Sequence, residues 1–228
     1  QDKRFKGMEE QLRSGWGALL KPLAWQGALC YGPSPSSKAT FTHPASLLKN
    51  WNGLPDPAEA APAVIKRYLS AYGPATPETF DAWLSRNSNK KSTLRSWFAS
   101  LGEQIVEVRV EGETRYLLAE HEDELAATRP SRATHLLGAF DQFVLGPGTK
   151  DTHMLAHEHR PLVSKAAGWI APVLTQGGRI TGVWEMDDGN LVVTPFPGEQ
   201  APPSQVLEDA AARLTAVHGS VKVTPRVD

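Results

Sequence analysis

The stretch from Pro57 to Glu120 constrains the fold most, because its hydrophobic period changes from helical to extended along the way. Apolar residues first recur at the i, i+3, i+4, i+7 spacing that is typical of amphipathic helices. They form three successive groups, each of which predicts a short helix. The groups are Ile65, Tyr68, Leu69 and Tyr72; Phe80, Trp83 and Leu84; and Leu94, Trp97, Phe98 and Leu101.

Local signals separate these helices. Gly73-Pro74 ends the first helix, and Thr76-Pro77-Glu78 starts the second with an N-cap hydroxyl, a proline at the first helical position and an acid in the first turn. Ser92 is the predicted N-cap of the third helix.

The period then becomes two, because valines alternate with charged residues over 106–110. Glu111-Gly112-Glu113 turns the chain, and Arg115–Leu118 returns as a second strand. Three helices followed by a hairpin is the order of a winged helix-turn-helix, whose third helix can enter a major groove. The predicted core is Ile65, Tyr68, Leu69, Phe80, Trp83, Leu84, Leu94, Trp97, Phe98, Val106 and Val108.

The chain before this unit resembles its second half. A helical stripe is followed by two short strands, Ala28–Tyr31 and Ala39–Thr42, so we predict that residues 1–43 end an earlier winged helix. A lone amphipathic helix packed on a hairpin is the alternative. Residues 44–57 contain three prolines and predict a linker. The stripe is Leu12, Trp16, Leu19, Leu20 and Leu23.

The last part of the chain predicts a different architecture. Tight turns join three apolar strands, Trp169–Thr175, Arg179–Met186 and Leu191–Phe196, into an antiparallel meander. A C-terminal helix with an apolar face (Leu207, Ala210, Ala211, Leu214 and Val217) is expected to cover it. The predicted class is α+β with tandem winged helix-turn-helix units followed by a small antiparallel meander. The predicted domains are the C-terminal half of a first winged helix at 1–43, a complete winged helix at 57–120 and a C-terminal α+β domain at 134–228.

Composition limits the environment and the partners. Among the 228 residues no run of 18 apolar residues occurs, so we expect no membrane span, and the single cysteine, Cys30, fits a reducing cytoplasmic setting. The net charge of −1 lacks the basic excess usual in nucleic-acid-binding proteins. A DNA-binding surface would therefore require local segregation of charge.

The segment 86–95 shows such segregation, since it holds Arg86, Lys90, Lys91 and Arg95 and no acid. Because it leads into the third helix, we predict phosphate contacts from Lys90, Lys91, Thr93 and Arg95. The alternative is an ordinary solvated helix face.

The loop 33–38 is a second candidate contact, with Ser37 and Lys38 as the predicted phosphate-binding residues. A flexible surface turn is the more common meaning of such a loop. The wing at 103–124 argues against DNA contact, because it carries eight acids against Arg109 and Arg115. We therefore expect the 57–120 unit not to place its wing on DNA.

Other chemistry finds little support. His153 and His157 could bind a metal from one helix face, but no cysteine accompanies them and we expect no metal site. Asp187-Asp188 lies in a turn with Gly189. Neither a nucleophile motif nor a glycine-rich phosphate loop occurs, so no catalytic residue is assigned.

Three longer stretches resemble the AlkZ/YcaQ-like DNA glycosylase family: Trp16–Pro33, Arg67–Trp83 and Gly168–Trp184, with the shorter Gly138–Asp141 and Glu158–Arg160 between the last two. The resemblance implies tandem winged helices that form a concave surface for duplex DNA. It also implies excision of alkylated bases or unhooking of interstrand crosslinks, without a metal or organic cofactor.

The resemblance places the catalytic Gln-aliphatic-Gln or Gln-aliphatic-Asp motif in an upstream domain. In this sequence no Gln is followed two residues later by Gln or Asp, so we expect the chain to be a fragment or a member without the motif. A basic Tyr/Arg-rich stretch of the family is also replaced by residues 146–150. A non-catalytic DNA-binding module and a protein-interaction scaffold are the alternative functions.

Overall fold

The computed structural model describes residues 20–34, 38–187, 190–218 and 225–227 and divides the chain into two compact units. The N-terminal unit comprises residues 1–60 and the C-terminal unit comprises residues 61–228.

The N-terminal unit contains a short helix and a small hairpin. Helix α1 is Lys21–Trp25, and strands β1 (Cys30–Tyr31) and β2 (Phe41–Thr42) pair antiparallel, as predicted, although both are shorter than expected. A 3₁₀ turn at Pro44–Ser46 follows. Of the predicted helical stripe, Leu12, Trp16 and Leu19 lie outside the described residues.

Three helices and a hairpin follow, as the sequence predicted. They are α2 (Pro57–Tyr72), α3 (Pro77–Ser85), α4 (Lys91–Ala99), β3 (Ile105–Val110) and β4 (Glu113–Leu118), with a 3₁₀ turn at Gly102–Gln104 before β3. We call residues 61–118 the helix–hairpin segment.

The predicted start of α3 is confirmed. The Thr76 hydroxyl accepts a bond from the Thr79 backbone N–H, and the Thr79 hydroxyl is paired with the Thr76 N–H. This reciprocal capping satisfies two of the N–H groups that a helix start leaves open. The predicted cap of α4 is wrong, since Ser92 lies inside the helix and Lys90 occupies the N-cap position without a side-chain cap.

The helix–hairpin segment has one hydrophobic core. Trp83 and Leu84 were wrongly placed in it, because both lie in the last turn of α3, where their side chains are 39% and 44% exposed. Val106 and Val108 are half-buried. The core consists of Ile65, Tyr68, Leu69, Ala75, Phe80, Leu94, Phe98, Leu101 and Leu118, with Trp97 packed against it.

Short helical elements connect this segment to the sheet. They are a 3₁₀ turn (Ala119–His121), α5 (Glu122–Ala127), α6 (Gln142–Leu145), a 3₁₀ turn (His157–His159), α7 (Arg160–Val163) and a 3₁₀ turn (Ala166–Gly168).

The remaining residues, 134–227, contain a five-stranded sheet in the order β5-β6-β7-β8-β9, and we call them the sheet segment. The predicted three-strand meander is confirmed at its centre. Neither edge strand was predicted from the sequence; β9, at one edge, is parallel to β8. The strands are β5 (Thr134–Leu137), β6 (Val173–Gln176), β7 (Arg179–Asp187), β8 (Asn190–Pro195) and β9 (Pro225–Val227).

The sheet is covered on both faces. Helix α8 (Ser204–His218) buries Leu207, Ala210 and Ala211 against one face, as predicted. Because neighbouring residues of a strand point to opposite faces, Leu174 joins this core while Val173 joins a second core with Val144, Leu155 and Val163.

Helix α2 is attached to the sheet segment near Gly146. The Tyr68 hydroxyl donates to the Gly146 carbonyl oxygen over 3.2 Å, and the Tyr72 hydroxyl lies 3.3 Å from Gln142 Oε1. A Cβ atom at position 146 would overlap the Tyr72 ring. The absent side chain at Gly146 is therefore what permits the close approach of α2.

We expect Gly146→Ala to lower the free energy of unfolding by about 1–3 kcal/mol, because overpacking forces the Tyr72 ring to move. Urea unfolding of the purified protein measures this. The control is Gly138→Ala, since a Cβ there meets nothing within 4 Å. Equal stability of the two variants would contradict the close packing at Gly146.

Candidate nucleic-acid interface

A buried carboxylate shapes the turn between α3 and α4. Asp81 is only 2% exposed, and it accepts hydrogen bonds from the Ser85 hydroxyl, from Asn89 Nδ2 over 2.7 Å and from the Asn89 backbone N–H over 3.3 Å. Its own backbone oxygen accepts from the N–H groups of Arg86 and Asn87. One residue thereby holds both ends of the turn.

The turn itself takes an unusual backbone path. Arg86 and Asn87 have φ values of 58° and 64°, in the left-handed region that few non-glycine residues adopt. The hydrogen bonds from the Arg86 and Asn87 N–H groups to the Asp81 oxygen offset the energetic cost of this conformation. The turn then delivers Lys90 and Lys91 to the start of α4.

The basic candidates around α4 are close in the chain and accessible. Lys90, Lys91 and Arg95 are exposed, and Thr93 is half-buried. Because Lys90 provides no side-chain cap, the first N–H groups of α4 are not bonded to it. Cationic side chains and an uncapped helix start together suit a phosphate.

Of the second candidate pair, only one residue can be placed. Lys38 is exposed in the loop between β1 and β2, and Ser37 lies outside the described residues. The loop is anchored by a bond from the Thr40 hydroxyl to the Pro33 carbonyl oxygen over 2.7 Å. Both residues stay predictions as DNA contacts.

A groove of about 360 Å³ separates α4 from the hairpin. Arg95 lies on its helical side, and Glu107 and Tyr116 lie on its hairpin side, where the Tyr116 hydroxyl donates to Glu107 Oε1 over 3.2 Å. Burial, followed by the nearby Glu107 charge, raises the pKa of Tyr116 above its ordinary value of 10.0. Tyr116 therefore remains a neutral donor, and Glu107 is partly engaged by it.

Two other acids of the hairpin contact a histidine of the sheet segment. His153 Nδ1 lies 2.9 Å from Glu111 Oε2, and His153 Nε2 lies 3.3 Å from Glu113 Oε2. Arg115 Nη2 donates to Glu113 over 3.2 Å. The turn of the hairpin is thus less negative than its sequence indicates, because cationic and hydrogen-bonding groups face its acids.

Arg115 also makes a buried ion pair. Its Nη1 atom lies 3.1 Å from Asp151 Oδ2, and the two side chains are 10% and 4% exposed. The second Asp151 oxygen accepts the backbone N–H of His153 over 2.9 Å. This pair was not predicted from the sequence, since nothing local marks residues 36 positions apart as partners.

The histidines do not share a helix face, so that part of the metal alternative is wrong. His157 begins a 3₁₀ turn and His153 precedes it. The His159 ring lies 4.6 Å from the Phe196 ring. Among the described residues, no group of three or more His, Cys, Asp or Glu side chains could hold a metal ion.

No helix within the described ranges is long and apolar enough to span a membrane.

The mixed helix-and-sheet fold of this chain has been observed before. The solved DNA glycosylase AlkZ of Streptomyces sahachiroi matches all of this chain with a TM-score of 0.91 and 55% sequence identity, over 62% of its own length. A curated relative from the same organism, an interstrand DNA cross-link repair glycosylase, is 55% identical over 227 residues.

The model of the AlkZ-like DNA glycosylase family matches residues 3–217, and the chain belongs to that family. The family resemblance seen in the sequence is confirmed. The 227 matched residues are 99% of this chain but 61% of the curated relative, so the chain spans about three fifths of that protein's length.

We expect Asp81→Ala to lower the free energy of unfolding by about 2–3 kcal/mol, because it removes several bonds to a buried charge. Thermal unfolding measures this. Glu78→Gln is the control, since Glu78 is an exposed acid of the same helix. A loss no larger than that of the control would show that Asp81 does not hold the turn.

Stability below pH 4.5 should depend on Glu113. The contacts with His153 and then Arg115 lower the pKa of Glu113 from its ordinary 4.5, so its stabilising effect is present above pH 4.5 and is lost as the pH falls through the lowered pKa. Glu113→Gln should remove this part of the acid sensitivity in thermal unfolding measured against pH. Glu103→Gln is the control, because Glu103 is exposed. If Glu113→Gln left the pH dependence of thermal unfolding as unchanged as this control does, the role of Glu113 would be contradicted.

Proposed function

We propose that the protein is a DNA glycosylase acting on crosslinked or alkylated bases in duplex DNA, and that this chain supplies its DNA-docking surface. One observation carries the proposal: 55% identity over 99% of the chain to a protein named for interstrand DNA cross-link repair. The solved relative is itself named a DNA glycosylase and shares the fold at a TM-score of 0.91.

In this proposal the helix–hairpin segment is a winged helix that docks on the duplex. Helix α4 approaches a groove, and Lys90, Lys91 and Arg95 contact phosphates while the Thr93 hydroxyl lies beside them. Ser37 and Lys38 contact DNA phosphates from the C-terminal half of a first winged helix at 1–43. The tandem arrangement and the boundaries 1–43, 57–120 and 134–228 are part of the proposal.

The acids of the hairpin support a division of roles. Glu111 and Glu113 face His153, and Glu107 is bonded to Tyr116. These contacts reduce the repulsion between the hairpin and a phosphate backbone without making the hairpin basic. We propose that the hairpin positions α4 and that the basic start of α4 holds the DNA.

The chemistry is hydrolysis of an N-glycosidic bond. Water adds to the sugar C1′ as the base departs, through an oxocarbenium-like transition state, and alkylation makes the base a better leaving group. Because this chain contains no Gln-aliphatic-Gln or Gln-aliphatic-Asp motif, we propose that the side chain that positions the water lies outside these 228 residues. In this proposal the reaction uses no metal or organic cofactor. We also propose that the protein is located in the cytoplasm.

Replacing Lys90 and Lys91 together by glutamine in the full-length protein should weaken binding to duplex DNA for all sequences alike. The negative slope of log K against log salt concentration should become shallower by about 2, since each phosphate contact contributes about −1 to it. Fluorescence anisotropy at several salt concentrations measures this.

Lys66→Gln is the control for a lysine outside α4 and removes one positive charge; Lys66 is exposed on α2, and its Nζ donates to Gln104 Oε1. An unchanged slope in the double variant would remove α4 from the DNA interface.

The function itself is tested by base release from alkylated and crosslinked duplexes by the full-length protein. Release from either substrate supports the glycosylase. Tight, salt-dependent binding without release would instead establish the non-catalytic DNA-binding alternative, which the missing glutamine motif favours. Absence of both binding and release would contradict the docking proposal as well.

A further inference from the structure

Two exposed aromatic rings are in contact on the surface of the sheet segment. Phe140 and Trp169 are 42% and 50% exposed, and their ring centroids lie 5.0 Å apart at an interplanar angle of 84°. This edge-to-face arrangement is a favourable geometry for an aromatic pair. Each ring therefore holds the other in place while both remain accessible.

Two positions at or near the rings have backbone conformations that non-glycine residues avoid. Phe140 has a φ of 58°, and Ala167, two residues before Trp169, has a φ of 57°. Left-handed non-glycine residues cost of order 1–3 kcal/mol and persist only where surrounding structure imposes them. Because two such residues lie beside one exposed aromatic pair, the surrounding structure holds both rings at the surface.

The loop that carries Trp169 is closed by backbone bonds. The Lys165 N–H donates to the Trp169 oxygen over 2.9 Å, and Ser164 forms a bridge with Ile170. Ile170 is buried in the sheet core, so the base of the loop is fixed. Small residues occupy its tip, 166–168, and leave the Trp169 ring uncovered.

The residue that closes the loop opposite Trp169 carries a basic side chain. Lys165 is exposed and is the backbone partner of Trp169 across the loop. The nearest acid in sequence to Phe140 is Asp141, which caps α6 by accepting the Phe143 N–H over 2.8 Å and is half-buried. An exposed aromatic pair and an exposed lysine on the loop of Trp169 are the side-chain types that bind a nucleotide, the ring stacking on its base and the lysine contacting its phosphate.

We propose that Trp169, braced by Phe140, stacks on an unpaired or extruded base of the bound duplex while Lys165 contacts the adjoining phosphate. This inference rests on the proposed function, since it assumes a DNA partner. An aromatic side chain stacks on any base, so this contact recognises a disrupted base pair and not a sequence. It assigns the sheet segment a part in detecting the lesion, separate from docking by α4.

The test uses the full-length protein and two undamaged duplexes, one fully paired and one with a single bulged 2-aminopurine. The wild-type protein should bind the bulged duplex more tightly and quench the 2-aminopurine fluorescence. Trp169→Ala should weaken binding to the bulged duplex by about tenfold and leave binding to the paired duplex near wild type, because base stacking is lost. Trp169→Phe should retain most of the preference.

Controls separate a binding role from a structural one. Leu125→Ala removes an apolar side chain of similar exposure, 45%, and should change neither affinity nor quenching. Lys165→Gln should weaken binding to both duplexes by the same factor. It should also make the slope of log K against log salt concentration shallower by about one. Near-wild-type thermal stability of Trp169→Ala is expected for an exposed side chain.

This proposal would be overturned if the wild-type protein and Trp169→Ala each bound the two duplexes with equal affinity. It would also be overturned if Trp169→Ala weakened binding to both duplexes by the same factor. Failure of the wild-type protein to bind either duplex would instead overturn the proposed function.

Discussion

The arrangement of the C-terminal unit depends on the buried ion pair between Arg115 and Asp151. Two charges removed from water are stable only with good geometry and additional hydrogen bonds. Both are present here, because the guanidinium also reaches Glu113 and lies 3.4 Å from the Pro74 oxygen, while the carboxylate accepts the His153 N–H. The pair fixes strand β4 to the loop between Val144 and Leu155 of the second sheet core. It favours one relative position of hairpin and sheet more than it adds net stability.

This attachment explains how a nearly neutral chain can present a basic surface. The pair brings the turn of the hairpin to His153, so Glu111 and Glu113 face cationic or hydrogen-bonding groups. At the other end of the helix–hairpin segment, Asp81 of α3 is buried against the α3–α4 turn, where hydrogen bonds satisfy its carboxylate, and the lysines at the start of α4 are exposed. Net charge conceals this distribution, because it counts engaged acids and exposed bases equally.

The sequence was sufficient for features that are encoded locally. The periods of α2, α3 and α4, the Thr76 cap and the central meander all arise from residues within a few positions of one another. It failed where tertiary packing decides. Trp83 and Leu84 have core spacing but stay partly exposed in the last turn of α3, although the Trp83 ring contacts Tyr68. The partner of Arg115 lies 36 positions away and has no local signature. The edge strands β5 and β9 were missed because their strand character depends on pairing with β6 and β8. For the candidate interface, charge segregation identified Lys90, Lys91 and Arg95, but not the buried acid that shapes their turn.

The most direct measurement is a double-mutant cycle between Arg115→Met and Asp151→Asn, read by urea unfolding. Each single variant should lose about 3–5 kcal/mol, because it leaves one buried charge without a partner. The double variant should lose clearly less than the sum, with a coupling energy above about 1 kcal/mol. Additive losses, or single losses within the range of surface substitutions, would show that the ion pair does not hold the hairpin to the sheet.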